Sequence, residues 1–172
     1  MRANRAVALL LGATLLLTVL FIVTDVVLRK IGRGALGGSN EISSYVMAAV
    51  ASWGLSCALT ERAHVRIDFV RQKLARRGQS IMDMLAMVVT NGVVLLVAVQ
   101  CWPVLEKTIL RGSTANTPLE TPLWIPQGIW FGGWLWFALT STALTLIGLY
   151  YLLSGHTKDF DATLGMGSEL EI

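Results

Sequence analysis

Within residues 61–68, ERAHVRID, two carboxylates, two guanidinium groups and one imidazole fall among apolar side chains. Such groups can move protons, ligate a metal or pair across an interface. Their spacing discriminates between these uses. Glu61 and Asp68 are seven residues apart and share a helix face, whereas His64 lies well off it. One imidazole and two carboxylates would need further ligands to hold a metal, and the other histidine, His156, is in the tail. Haem held between membrane spans would require histidines inside the bilayer, and neither is there. The cluster reads as a polar junction, with no catalytic, metal or cofactor site expected in this chain and no enzyme activity.

The elements around that junction explain its position. Of the 172 residues, 54% are hydrophobic and only 15% charged, where a soluble domain carries about a quarter. The mean hydropathy is +0.62. Charge is missing from four long runs, 6–24 (extended past Asp25 to 28), 42–60, 84–105 and 121–154. A hydrocarbon core of about 30 Å takes about 20 apolar residues as helix, so each run can span it. The runs do not alternate as barrel strands would. The expected fold is an all-α integral membrane protein, a single membrane domain over 1–172. Its four transmembrane helices cover approximately 6–28, 42–60, 81–105 and 126–153, followed by a tail at 155–172. The first run is too long for a signal-peptide core and lacks a cleavage pattern, so it is expected to remain as a span. No connection is large enough to bury a core, so a soluble catalytic domain would belong to another chain.

Sorting Lys and Arg sets the expected orientation. With the N-terminus cytoplasmic, nine lie inside and five outside, which favours both termini inside. Trp102, Trp124 and Trp130 gather near the outer connection, where amphipathic rings prefer the headgroup level. The net charge of +3 is then explained by orientation and anionic lipid, and no basic block with interleaved aromatics suggests nucleic acid. Residues 62–77 form an interfacial helix on this reading. At 100° per residue Ala63, Ile67, Val70 and Leu74 fall in a ~60° arc, while Arg62, Arg66, Lys73, Arg76 and Arg77 occupy a basic arc of about 100°. Phe69 departs from the pattern, near the basic side.

Few polar residues sit inside the spans. Asp25 is four residues before Arg29, a spacing that suits an ion pair. Asp83 lies three after Ser80, as in a helix-start cap at the inner surface. Asn91, near the middle of the third span, is the best buried polar candidate and suits an interhelical hydrogen bond; Gln100 is similar but shallower. Cys57 and Cys101 fall near opposite ends of their spans, on the order of 20 Å apart, beyond disulfide reach. Small residues recur four apart as Ser44, Ala48, Ser52 and Ser56, with Glu41 and Tyr45 near the same face. Gly128 and Gly132 form a GxxxG, with Gly133 and Ser141 further on. Such stripes let helix backbones approach closely in lipid. Prolines at 118, 122 and 126 exclude a continuous helix there and predict an extended outer connection that starts the fourth helix at Pro126.

These residues resemble the small permease subunit, DctQ type, of tripartite ATP-independent periplasmic (TRAP) transporters. The likeness is carried by Arg29 after the first span and Glu41 at the start of the second. It continues in Gly54, in Arg62 with the His64-x-x-x-Asp68 segment, and in Ile125-Pro126 entering the last span. Asn40 stands where many members have a second acid. The resemblance implies a non-catalytic scaffold subunit in the bacterial inner membrane. It would pair with a large permease subunit and work with a periplasmic substrate-binding protein and membrane lipids. Uptake would be sodium-driven and of organic acids such as C4-dicarboxylates or sialic acid. Sodium would bind the large subunit. Two other readings stay open. A self-sufficient four-helix exporter would need a membrane-embedded acid in the first helix, where 6–24 has none. The membrane anchor of a redox complex would need intramembrane haem ligands.

Overall fold

The computed structural model describes residues 2–32, 34, 37–61, 76–117 and 119–154. Four helices follow in order: α1 (Arg2–Lys30), α2 (Ser39–Thr60), α3 (Arg76–Arg111) and α4 (Trp124–Leu153). All four are long and apolar enough to cross a membrane, and no strand occurs among the described residues. An isolated bridge joins Thr114 to Pro122. The all-α, four-span expectation therefore holds. The interfacial helix expected at 62–77 lies outside the described residues except for Arg76 and Arg77, which open α3.

Helix is the form that lets an apolar segment pair every backbone amide internally where water is absent. The same demand disposes of the hydroxyls. Thr14, Thr18 and Thr24 donate to the carbonyls of Leu10, Thr14 and Leu20 within α1. Ser52, Ser56 and Thr60 bond carbonyls one turn back in α2, and Thr140 and Thr145 do so in α4. These hydroxyls are satisfied by the helix that carries them.

The helix ends differ from expectation in three places. Ser80 and Asp83 do not cap the start of the third span; both are buried inside α3, which begins at Arg76. Pro103 lies within α3, where it withholds one amide from the helix ladder, and the helix still runs on to Arg111. α4 begins at Trp124, two residues ahead of Pro126. Pro126 is still in the first turn, whose amides have no intrahelical acceptor, so the ring is accommodated there.

Laterally the helices form a row, α1 on α2, α2 on α4 and α4 on α3, with no other close helix pair among the described residues. α2 and α4 approach closely at Gly133. A Cβ added at Gly133 would stand 2.3 Å from Ser52 Oγ and 2.7 Å from Trp53 Cδ1. Ser52 itself is buried. Beside it, the Trp53 indole donates to the Ile129 carbonyl at 2.9 Å and stacks on Trp136. Gly132 is a looser neighbour, at 3.3 Å from Trp53 Cζ2, and Gly128 has nothing within 4 Å. The close-packing position is thus the residue after the GxxxG, and Gly128 takes no part in it.

On α3 and α4 the core comprises Met84, Met87, Val94 and Ala98 against Phe137 and Ala138, joined by Leu59 of α2. Replacing Gly133 by alanine is expected to force α2 and α4 apart and to destabilise the helices by about 1–3 kcal/mol, the usual penalty for overpacking. Gly128→Ala should be neutral. Thermal denaturation of the two variants in detergent measures the difference, and equal melting would contradict this account of the crossing.

Candidate functional site at the Glu41 end of the helices

The C-terminal ends of α1 and α3 and the N-terminal ends of α2 and α4 meet at one end of the row. There the polar residues gather in two neighbouring networks. On α1, Asp25 is fully buried and its Oδ2 accepts from Arg29 Nη2 at 2.6 Å and from Ser39 Oγ at 2.8 Å. Arg29 is 61% exposed, so the pair has a dry acid and a wet base. The i,i+4 spacing on α1 makes that pair, and the Ser39 hydroxyl extends it to the first residue of α2.

Glu41, in the first turn of α2, is buried as well. Its Oε1 accepts from Tyr45 Oη at 2.7 Å, and its Oε2 accepts from Thr117 Oγ1. The first contact is local to the helix; the second reaches across 76 residues to the α3–α4 connection. An acid at a helix N-terminus also meets the positive end of the helix dipole. The connection is shaped to deliver Thr117. Ala115 N donates to Thr121 O at 2.9 Å, Leu123 N to Ser113 O at 3.0 Å and Glu120 N to Thr117 O at 3.0 Å, closing a narrow loop. Gly38 precedes α2 at φ +69°, a left-handed position, and a Cβ there would lie 2.2 Å from Leu119 Cδ1. The left-handed backbone favours glycine there, and a larger residue would also have to displace the Leu119 side chain.

Chemically this is a carboxylate with a hydroxyl donor on each oxygen. Among the described residues no group of three or more His, Cys, Asp or Glu could hold a metal ion. Beside the cluster, Tyr45 and Thr121 edge a cleft of about 450 Å³ between α1, α2 and the start of α4, walled by residues such as Leu10, Val46, Val50 and Ile129. Among the described residues no charged side chain lines it, so they offer an organic anion no counter-charge there. What the arrangement does is hold three chain segments together at one end of the row.

Two further polar junctions lie along the row. At the opposite end Asn4 joins three helices. Its Nδ2 donates to Ser56 O at 3.3 Å and to Thr60 Oγ1 at 3.0 Å, while its Oδ1 accepts from Trp136 Nε1 at 2.9 Å. Trp136 is followed by 17 residues of α4, so that helix runs on roughly 25 Å beyond this level. Farther along α4, Asn91 of α3 receives Ser141 and Thr142, the interhelical hydrogen bond its position suggested.

The residues singled out by sequence are spread among these places. Arg29 and Glu41 share one end but sit in different networks and do not pair. Ser52 and Ser56 are buried between helices, Ala48 is partly buried and Ser44 is exposed. Gly54 has no neighbour within 4 Å of an added Cβ. Trp102 packs on Phe131, Trp130 meets Trp134 edge-on and Trp124 is exposed. Cys57 and Cys101 are both free. Arg62, His64, Arg66, Asp68 and Lys73 lie outside the described residues. Asn4, Thr117, Trp53 and the contact role of Gly133 were not anticipated. Only Tyr45, four residues from Glu41, carried a local signal.

A family model described as "Tripartite ATP-independent periplasmic transporters, DctQ component" matches residues 18–150. The chain belongs to the DctQ family. Membership makes this DctQ chain a small permease component of a TRAP transporter and a multi-pass membrane protein, as the resemblance implied. The matched region runs from the middle of α1 almost to the end of α4 and contains both carboxylates of the cluster. Neither a curated protein nor a solved structure matches the chain.

Removing the Glu41 carboxylate should free the loop it holds. In Glu41→Ala the amides of Ala115, Glu120 and Leu123 are expected to exchange hydrogen roughly tenfold faster, as loss of hydrogen bonds to a charged acceptor implies. Glu41→Gln, which keeps an acceptor oxygen, should show a smaller change. Hydrogen exchange read by mass spectrometry decides it, and unaltered loop protection in Glu41→Ala would remove the latch role.

Proposed function

We propose that this DctQ chain is a non-catalytic scaffold subunit of a sodium-driven, binding-protein-dependent uptake system for organic acids. It lies in the bacterial inner membrane with both termini cytoplasmic. Its partners are a large permease subunit, which holds the substrate and the sodium, and a periplasmic substrate-binding protein. Membrane lipid contacts the interfacial anchors Arg66, Lys73, Arg76 and Arg77. No cofactor belongs to this chain.

The observation that carries this reading is the use made of the polar groups inside the spans. Asp25, Glu41, Asn4 and Asn91 are spent on contacts between helices or with the α3–α4 connection. An ion or substrate path through the bilayer requires ionisable or carbonyl groups turned towards a water-filled cavity. The cleft beside α1 and α2 is lined without charge. Family membership supplies the second support and favours this reading over a lone exporter or a redox anchor.

A tagged chain purified from native membranes is expected to recover a much larger permease; recovery of homo-oligomers alone would refute the proposal. Glu41→Ala and His64→Ala should reduce that recovery, or sodium-dependent uptake by the assembled system, several-fold. Substrate capture by the soluble binding protein should be untouched. Normal assembly and uptake in both variants would show that neither residue serves the subunit role.

A further inference from the structure

The cleft of about 450 Å³ has α2 as its back wall and α1 and α4 as its sides. Its origin lies in how the row is tied. α1 and α4 each pack on α2 and nowhere approach one another closely among the described residues. Side chains bridge them where Trp136 Nε1 donates to Asn4 Oδ1 at 2.9 Å. That bridge stands about one turn before Val7, the first α1 residue in the wall, and about two turns beyond Ile129, the last from α4. The cleft is thus closed at the Asn4 end. It opens sideways, where Leu10 of α1 and Ile129 of α4 are exposed at its rim.

Depth and lining decide what can enter. α2 has 22 residues, about 33 Å of helix, scarcely more than the hydrocarbon it must cross. The part of α2 in the wall, residues 45–53, is the middle of that length, so the cleft faces acyl chains rather than headgroups or water. The polar groups of Thr14, Tyr45 and Trp53 are already bonded within the chain, to Leu10 O, Glu41 Oε1 and Ile129 O. An apolar space with such a lining stays free of water. A transmembrane helix is too broad for it. Seated between α1 and α4, it would need their axes about 16–20 Å apart, two packing distances. One asparagine and one tryptophan in contact hold the two helices closer than that at the Asn4 end, which a spanning helix would also have to pass. A flexible hydrocarbon chain needs neither that width nor a polar partner, and the volume is of the size of ligand sites, about 300–1,000 Å³.

We propose that the cleft between α1, α2 and α4 is a binding site for one acyl chain of a membrane phospholipid. The chain fills the gap between α1 and α4 and backs the ring of Tyr45, whose hydroxyl holds Glu41. The test takes the full chain, with whatever subunits accompany it, from phosphatidylethanolamine bilayers and strips it with detergent before native mass spectrometry. The wild-type chain is expected to keep one phospholipid after the rest are removed. Ala49→Phe, which places a ring in the cleft, should lower that retention roughly fivefold or more. Leu16→Phe, on the exposed face of α1, should leave it unchanged. A wild-type chain that keeps no lipid, or equal retention in Ala49→Phe, would overturn the proposal. A measurement on the wild type needs no variant to fold. When the bilayer carries a phosphatidylethanolamine with a diazirine in its palmitoyl chain, adducts of the retained lipid should map to Val46, Val50 or Ile129. Adducts confined to open faces such as Leu16 and Leu20 would overturn the assignment. So would p-benzoylphenylalanine at Leu10 that crosslinks in intact membranes to a protein, whether the permease or a second copy of this chain, and to no lipid.

Discussion

A hydrocarbon layer holds no water to pair an amide, a hydroxyl or a carboxylate, and this chain is organised around that lack. Helix formation settles the backbone. The serine and threonine hydroxyls settle themselves on carbonyls one turn back, as Thr18, Thr60 and Thr145 show. Several of the remaining polar side chains find a partner on another helix or in a connection. Asn4, Trp53, Asn91 and Glu41 therefore become the points at which the helices are tied. Burying apolar surface does little of this work, because leucine is no better off against another helix than against lipid.

The ties occupy three levels. At one end Asp25 and Glu41 bind α1, α2 and the α3–α4 connection. At the far ends of α1 and α2, Asn4 gathers α1, α2 and α4 at Trp136, and five to six residues farther along α4 Asn91 joins that helix to α3. Steric fit sets the separation as well, as where Ser52 meets Gly133. The result is a row rather than a closed bundle, which leaves α1 and α3 with long exposed apolar faces such as Leu9, Leu16, Val89 and Leu96. A row has more surface for lipid and for partner helices than a compact four-helix bundle has. That agrees with the scaffold role proposed above.

Much of the candidate site was legible because part of it is local. Asp25 with Arg29 and Glu41 with Tyr45 are i,i+4 pairs on helices whose existence the charge-free runs required. Thr117 was not, since nothing near it in the chain announces a partner 76 residues away. The GxxxG lies on α4, where the next residue, Gly133, approaches α2 more closely than Gly132 does. A spacing of four identifies a face of small residues, but the residue that meets the neighbour depends on how that neighbour crosses. Asn4 escaped notice for a related reason. It sits between two arginines at the start of α1, where a membrane-edge reading explains its polarity without any partner.

What the sequence determined by itself is the number and approximate extent of the spans and the family, since these depend on runs of residues and on short motifs. The thickness of the hydrocarbon converts a charge-free run into a helix without reference to anything else. The lateral order α1–α2–α4–α3 was decided only by the tertiary structure. Apolar helices in lipid have nearly equal affinity for any apolar neighbour, so their order leaves no periodic mark along the chain. It is set by where a missing Cβ permits approach and where a buried amide or carboxylate finds its partner, and both depend on residues brought together from distant parts of the chain.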